Sequence, residues 1–166
     1  MILVLMVDDD PNMLEISKIF LERSGDIKVD TTESATEALE KLEDEINRYE
    51  VVISDYAMPE MDGITFLKAV RSRTLDLPFI LFTGKSREEV VIEALNCGAD
   101  YYMQKDGDLK VLFTELTHQI RQASDRKRAR KEELIQRDLA LKLSGATSLS
   151  VALKLCVEAA IEVSET

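Results

Sequence analysis

The stretch ILVLMVDDDP, residues 2–11, joins an apolar run to three consecutive aspartates and a proline. Six apolar residues in a row are typical of a strand that is buried on both faces of a sheet. Three like charges this close repel one another, so Asp8, Asp9 and Asp10 need a cation beside them or full exposure to water. Pro11 is suited to the first turn of a helix. The stretch therefore predicts a buried strand, a charged turn and the start of a helix.

The order of strand then helix recurs four more times within the first 124 residues. Runs of apolar and β-branched residues predict further strands at 27–31, 51–54, 79–82 and 101–104. Apolar spacing predicts helices at 35–46 and around 90–95, and further helices are expected at 11–24, at 63–73 and from residue 109 onward. Since parallel neighbours need crossover connections, this alternation predicts an α/β fold with a five-stranded parallel sheet covered by helices on both faces.

Local signals predict where two of these helices begin and one ends. Ser34 with Glu37, and Ser86 with Glu89, have the spacing of capping boxes, in which each side chain bonds the other residue's backbone amide. Gly98 follows the last apolar residue of its helix, where a stop is expected.

The charge of the chain is negative and unevenly distributed. The net charge is −11, and residues 1–124 hold 25 acidic against 13 basic side chains. Such a surface repels nucleic acid and anionic membranes and attracts cations or basic partners. The longest apolar stretches, of six or seven residues, are too short to span a bilayer, and no basic flank of a secretory signal is present. We therefore expect a cytoplasmic protein that binds neither nucleic acid nor membrane.

Polar residues follow the predicted strands in a complementary set. Residues 8–10 follow the first strand, Asp55 the third, Thr83 the fourth and Lys105 the fifth, whereas the second strand delivers only threonines 31 and 32, as an outer strand would. In open parallel sheets, ligands bind beyond the carboxyl ends of the strands. Two or three carboxylates with room for water suit Mg²⁺. A carboxylate nucleophile, a hydroxyl and an ammonium around that ion can hold a phosphoryl group.

Four motifs of the sequence resemble the receiver domain of two-component response regulators over roughly residues 1–122. They are VDDDP (7–11), VISDYAMPEMDG (52–63), LFTG (81–84) and CGADYYMQK (97–105). The resemblance implies a doubly wound, flavodoxin-like (βα)5 fold. It also implies a phosphoacceptor role in a phosphorelay, with a histidine kinase or histidine phosphotransfer domain as partner. Such a domain is not an independent enzyme, since it catalyses only its own phosphorylation and dephosphorylation.

The resemblance also assigns a metal site beside the phosphoacceptor. Asp55 is implied to accept the phosphoryl group from a phosphohistidine. The implied cofactor is Mg²⁺, held directly by Asp9, through water by Asp8, and by Asp55 and the backbone carbonyl of Ala57. Asp10, next in the chain, is expected to be an exposed acid near a helix N-terminus.

Three further residues are implied to respond to the phosphoryl group. Lys105 is implied to pair with its oxygens, and Thr83 to donate a hydrogen bond to one of them. Tyr102 matches the aromatic switch residue of the family, and strand alternation places Tyr101 on the opposite face. The family usually has a cis proline after the lysine, whereas this chain has Asp106. The sequence leaves open whether that peptide is trans or a strained cis bond.

The remainder of the chain predicts a helical extension in two parts. We expect a receiver domain at 1–124, a charged helical linker at 125–147 and an amphipathic helix at 148–166 that begins after Gly145 with Ser148 as its cap. The last segment resembles the first helix of a GAF sensor domain, as found in archaeal and bacterial sensor histidine kinases. It suggests the N-terminal part of a multidomain kinase. Its apolar stripe also suits a homodimer through the C-terminal helices.

Two other functions are alternatives to the phosphoacceptor hypothesis. A haloacid-dehalogenase-like phosphatase would use Asp8 and Asp10 as its D-x-D motif, but would leave the motif around Asp55 unexplained. An interaction module of the same fold that is no longer phosphorylated would not need the full set of site residues. His118, the sole histidine, lacks the neighbouring acid and proline of a kinase phosphoacceptor and is interpreted as a helix-face residue.

Overall fold

The computed structural model describes residues 1–45, 48–74, 76–84 and 88–164, and for 44–45 and 143–164 it describes the backbone alone. Five strands alternate with five helices, as the sequence predicts. In chain order they are β1 (Ile2–Val7), α1 (Pro11–Glu22), β2 (Ile27–Thr32), α2 (Ala35–Glu45), β3 (Val51–Ser54), α3 (Gly63–Arg73), β4 (Phe79–Thr83), α4 (Glu88–Asn96), β5 (Tyr101–Gln104) and α5 (Leu109–Ser164).

The five strands form one parallel sheet in the order β2-β1-β3-β4-β5. From β1 the chain adds β2 on one side of the sheet, and it then adds β3, β4 and β5 on the other side. The strand order therefore reverses between β1 and β3. Val7 pairs with Ser54 across these two strands. The next residue of each strand is an aspartate, so the register brings Asp8 and Asp55 together at the edge where doubly wound sheets bind ligands.

Both faces of the sheet are covered, because successive strand side chains point to opposite sides. In β1, Leu5 and Val7 pack with residues of α2, α3 and α4, whereas Val4 and Met6 pack with residues of α1 and α5. The second core includes Phe113 of α5, a buried aromatic residue. These two cores confirm the doubly wound α/β fold and fix the ends of the strands in space.

Three elements differ by one or two residues from the sequence expectation. Helix α1 ends at Glu22 rather than near Ser24, because the Ser24 hydroxyl donates to the Leu21 carbonyl and Gly25 turns the chain with a φ of 79°. Strands β2 and β4 each gain a final threonine. The carbonyl of the added Thr83 accepts a hydrogen bond from the Lys105 amide, so β4 is extended by its pairing with the chain at the end of β5.

Only one of the two hydrogen bonds of the capping box predicted for α2 is present. The Ser34 hydroxyl accepts from the Thr36 and Glu37 amides at 3.2 and 3.5 Å, as an N-cap does. The Glu37 carboxylate, however, accepts from the Thr32 hydroxyl at 2.6 Å and pairs with Lys41, instead of reaching back to the Ser34 amide. A nearby hydroxyl at the end of β2 thus replaces the reciprocal bond. Gly98 turns the chain after α4 with a φ of 92°, as expected.

Some expectations fall outside the described residues. These are the cap formed by Ser86, the end of the α2 stripe at Ile46, and the side chains of the apolar stripe between 149 and 163. Gly145 and Ser148 both lie within α5, so no new helix begins at Ser148. A single glycine costs a helix only about 1 kcal/mol relative to alanine, which does not end it.

The chain divides into two compact units, Met1–Lys127 and Arg128–Thr166. The sheet, its five strands and all the site residues proposed from the sequence belong to the first unit. Within the ranges given above, no helix is both long enough and apolar enough to cross a membrane.

Candidate functional site

The carboxyl ends of β1, β3 and β5 bring two carboxylates and one ammonium into direct contact. The Lys105 Nζ donates to Asp8 Oδ2 at 2.6 Å and to Asp55 Oδ1 at 2.7 Å. Both aspartates are buried, with 1% and 6% of their surface exposed, and the lysine side chain is 11% exposed. Three of the residues predicted from separate motifs thus form one ionic cluster.

Backbone hydrogen bonds fix the two aspartates in place. The Asp55 amide donates to the Val7 carbonyl at 2.8 Å, and Asp55 Oδ2 accepts from the Ala57 amide at 2.6 Å. The Asp8 amide donates to the Thr32 carbonyl, and Asp8 Oδ1 accepts from the Asp10 amide at 3.1 Å. Each carboxylate therefore has one oxygen on a backbone amide and the other on the lysine.

Lys105 is positioned by the end of β4. Its amide donates to the Thr83 carbonyl at 2.8 Å, and its Nζ lies 5.5 Å from the centre of the Phe82 ring. The peptide that joins Lys105 to Asp106 is trans, since none of the described residues has a cis peptide bond. The chain thus places the lysine without the proline that usually follows it in the resembling family.

The cluster carries an uncompensated negative charge when both carboxyls are ionised. Burial raises the pKa of the Asp8 carboxyl above its usual value, and the hydrogen bond and charge of Lys105 act in the opposite direction. One ammonium neutralises only one of two buried carboxylates, and burying an unpaired charge is costly. The site is therefore suited to receive a further cation.

The three consecutive aspartates have different environments. Asp8 is buried in the cluster, whereas Asp9 and Asp10 are exposed. Asp10 is the N-cap of α1, since its Oδ1 accepts from the Asn12 amide at 2.9 Å. The expectation of an exposed acid at a helix N-terminus is confirmed for Asp10, and the metal-binding role of Asp9 stays a prediction.

The site contains some, but not all, of the side-chain ligands that a complete metal site would need. Within the described ranges, no group of three or more histidine, cysteine, aspartate or glutamate side chains is arranged to hold a metal ion. Mg²⁺ takes one or two protein carboxylates and completes its shell with water or phosphate oxygens. Asp8 and Asp55, with the exposed Asp9 beside them, provide oxygen donors of this kind. The residues fit Mg²⁺ by the chemistry of their donors.

The two residues expected to act as a switch occupy adjoining strands. Thr83 is fully buried at the end of β4. On β5, Tyr102 is half-buried and packs against the core formed with α2 to α4, while Tyr101 packs against the core formed with α1 and α5. This confirms that the two tyrosines lie on opposite faces of the sheet. The coupling between Thr83 and Tyr102 stays a prediction.

Gly63, the last residue of the motif at 52–63 and the predicted start of a helix, also contacts the backbone of the site. Its amide donates to the Tyr56 carbonyl at 2.9 Å. A Cβ at this position would lie 2.2 Å from the Asp55 carbonyl oxygen and 2.9 Å from Leu81 Cδ1. The first turn of α3 therefore packs directly on the backbone of Asp55. The signal in the sequence is a glycine directly after the N-cap Asp62, at a helix position where glycine is otherwise unfavourable.

Comparisons with known proteins agree with this geometry. The profile of the response regulator receiver domain matches residues 4–117. Response regulator SaeR from Staphylococcus aureus (strain USA300) is 37% identical over 102 residues, which are 61% of this chain and 43% of that protein. The chain thus spans less than half the length of this curated relative.

Solved structures show the same likeness over most of the chain. A response regulator receiver domain protein from Clostridium thermocellum matches with a TM-score of 0.71 and 29% identity, over 78% of this chain and 98% of that one. A CheY-like receiver domain protein from Methanospirillum hungatei JF-1 matches with a TM-score of 0.70 and 28% identity, over the same shares. Since the fold, the ionic cluster and the family profile agree, this chain belongs to the family of response regulator receiver domains.

Proposed function

We propose that the chain accepts a phosphoryl group on Asp55 from the phosphohistidine of a histidine kinase or histidine phosphotransfer domain. The observation that carries this proposal is the contact of one lysine with two buried carboxylates at the switch point of the sheet. Family membership supports the same role, since receiver domains act in two-component signalling. The role is that of a phosphoacceptor in a relay rather than of an independent enzyme.

In the proposed reaction, an Asp55 carboxylate oxygen forms a bond to phosphorus as the bond from phosphorus to the histidine nitrogen breaks. The electron pair of the broken bond returns to the imidazole. Lys105, which pairs with Asp55 before transfer, then neutralises charge on the phosphoryl oxygens. The Ala57 amide holds the second oxygen of Asp55, so the attacking carboxylate is already oriented.

We propose that Asp8, Asp9, Asp55 and the Ala57 carbonyl hold Mg²⁺. When bound, the ion offsets the negative charge that accumulates as a phosphoryl group approaches three carboxylates. The raised pKa of Asp8, caused by its burial, supports the need for a cation at this position. Asp9→Ala tests the assignment, because calorimetric titration with Mg²⁺ should show binding to the wild type and its loss in the variant. Unchanged affinity would remove Asp9 from the ligand set.

We further propose that Thr83 and Tyr102 relay the change. A phosphoryl group on Asp55 offers the Thr83 hydroxyl a new acceptor, and Tyr102 on the neighbouring strand responds to the resulting movement. The pairing of β4 with β5 at this edge supports the coupling, because Thr83 and the Lys105 amide share a hydrogen bond. We expect Thr83→Ala to be phosphorylated while its Tyr102 ring signals in NMR spectra change less than those of the wild type.

Intact-mass measurement with a small phosphodonor, acetyl phosphate, and Mg²⁺ tests the proposal. We expect the wild type to gain one phosphoryl group and Asp55→Asn to gain none. Asp10→Asn is the matched control, because asparagine caps a helix as well as aspartate does, so this variant should be labelled normally. Equal labelling of Asp55→Asn would refute the proposal.

The phosphatase alternative gains no support from the structure. Its two aspartates would have to face one reacting group, but Asp10 caps α1 while Asp8 bonds Lys105. The control variant also separates the two functions, since a D-x-D phosphatase would lose activity in Asp10→Asn. Turnover of a phosphate ester that this substitution abolishes would favour the alternative.

A further inference from the structure

A groove of about 820 Å³ lies between α1 and α5, on the sheet face that carries the second core. The stacked rings of Phe20 and Phe113 contribute to its lining, with centroids 4.9 Å apart and an angle of 14° between the planes. Arg23 and Lys110 also line the groove. Its volume is in the range of small-molecule sites, roughly 300–1,000 Å³.

Two basic side chains of this groove differ from those of α2 and α3. Every lysine and arginine of α2 and α3 pairs with a carboxylate; they are Lys41, Lys68, Arg71 and Arg73. The side chains of Arg23 and Lys110, by contrast, are exposed and make no hydrogen bond or ion pair within the described part of the chain. Arg121 lines the groove as well and is bonded to Asp26 through two nitrogens.

Arg23 and Lys110 share one groove in a region, residues 1–124, that carries about twice as many acids as bases, 25 against 13. Two cations that line one concave surface attract an anion, whereas the acidic surface of the rest of the domain repels one. The apolar lining adds a preference for a ligand with a flat, apolar part. The two features together describe a ligand that has both a negative charge and a ring.

We propose that the groove between α1 and α5 binds a small anion that carries an aromatic ring, a nucleoside phosphate being the simplest example. Arg23 and Lys110 contact the anionic group, and Phe20, which is half-buried and stacked on the buried Phe113, contacts the ring. The site is separate from the Asp55 cluster and does not rest on the phosphoacceptor function. Its occupancy would add a second input to the receiver domain.

Isothermal titration with ADP in the presence of EDTA tests the proposal, because chelation of Mg²⁺ prevents metal-dependent binding at the aspartates. Pyrophosphate and adenosine are matched probes that carry only the charge or only the ring. We expect saturable binding of ADP, at least about tenfold tighter than either part. Absence of saturable ADP binding, or pyrophosphate binding as tight as that of ADP, would overturn the proposal.

Charge-reversal variants locate the binding site. Arg23→Glu and Lys110→Glu should each weaken ADP binding at least about tenfold. Lys18→Glu, an exposed lysine of α1 outside the groove lining, should change it less than about twofold, and Asp55→Asn should leave it unchanged. Equal weakening by Lys18→Glu would indicate a general charge effect, and loss of binding in Asp55→Asn would indicate the phosphoacceptor site.

Binding of an acidic helical peptide without binding of ADP would assign the groove to a protein partner instead. Each of these outcomes would contradict the proposed ligand.

Discussion

Asp8 illustrates how a single residue can serve function at the expense of stability. Its carboxyl is almost completely buried, and burial raises its pKa. The ionised form is therefore less favourable in the folded chain than in the unfolded one, in spite of the bond from Lys105. A residue chosen for stability alone would not be charged at this position.

We predict that Asp8→Asn raises the stability of the metal-free protein at neutral pH. Because the folded-state pKa of Asp8 is raised, the penalty is absent below the unfolded pKa, near 3.8, and grows as the pH rises above it. The gain from the substitution should therefore be largest at neutral pH and should shrink toward pH 4. Urea unfolding in EDTA at several pH values measures this. A destabilised variant at neutral pH would show that the Lys105 bond outweighs burial.

Gly63 provides the second prediction at this scale. A methyl group there would overlap the Asp55 carbonyl oxygen, so Gly63→Ala must move either α3 or the strand end. We expect a loss of about 1–3 kcal/mol, typical of overpacking, and slower phosphorylation of Asp55. Gly84→Ala is the control for stability, because a Cβ there would meet nothing within 4 Å. Equal urea midpoints for wild type and Gly63→Ala would contradict the close approach.

Among the elements, α3 is tied to the turn between α4 and β5 by one side chain. Arg71 donates to the carbonyls of Leu77 and Gly98 and pairs with Asp100 at 2.9 Å. Burial lowers the pKa of Arg71, an effect that the Asp100 charge and hydrogen bond oppose. The side chain is only 12% exposed, so these bonds are shielded from water.

We predict that Arg71→Met costs about 2 kcal/mol of folding free energy, because the two carbonyls and Asp100 lose a charged donor. Arg73→Met is the matched control on the same helix. Its pair with Glu43 lies at the surface, with side chains 34% and 58% exposed, and such pairs contribute about 0–1 kcal/mol. Chemical denaturation of both variants measures the difference. A loss of folding free energy in Arg73→Met as large as that in Arg71→Met would contradict the greater contribution of the shielded Arg71 bonds.

The elements themselves were predictable from local pattern, whereas their contacts depended on the fold. Strands β1, β3 and β5 begin and end where apolar runs predict, because those runs are limited by charged or turn residues. The partner of Glu37 was mispredicted, since the competing Thr32 hydroxyl comes from the end of another element. The ties made by Arg71 and the clash at Gly63 join segments far apart in sequence, and local spacing carries no signal for them.

The site was more predictable than its surroundings for a physical reason. Parallel strands bring their carboxyl ends to one edge, so residues that follow separate strands must meet there. Asp8, Asp55 and Lys105 meet as expected. The exposed position of Asp10 near a helix N-terminus was also predicted, and the structure adds that this residue caps α1 and that Asp9 is exposed.

At the scale of the whole molecule, the second compact unit presents apolar side chains to solvent. Leu134, Ile135, Leu139 and Leu141 of α5 are each more than half exposed. We propose that the C-terminal helices pair with those of a second copy. We also propose that 125–147 is a linker after the receiver domain at 1–124, and that 148–166 is the start of a further domain. The exposed apolar residues, which gain by burial, support the pairing.

We predict that the chain is a dimer at micromolar concentration and that Ile135→Asp with Leu139→Asp makes it a monomer. Light scattering coupled to size exclusion measures the mass. Ile19→Asp is the control, an exposed apolar residue of α1 in the first unit, and should leave the mass unchanged. A monomeric wild type would refute pairing through these helices.

Phosphoryl transfer to Asp55 is tested most directly by locating the phosphoryl group on the chain. Borohydride reduces an acyl phosphate to an alcohol, so peptide mass mapping after phosphorylation and reduction identifies the modified residue. We predict homoserine at Asp55 alone, formed in the presence of Mg²⁺ and absent when EDTA is added before the phosphodonor. Modification at Asp8 or Asp10, or at His118 in the unreduced protein, with Asp55 intact, would contradict this prediction.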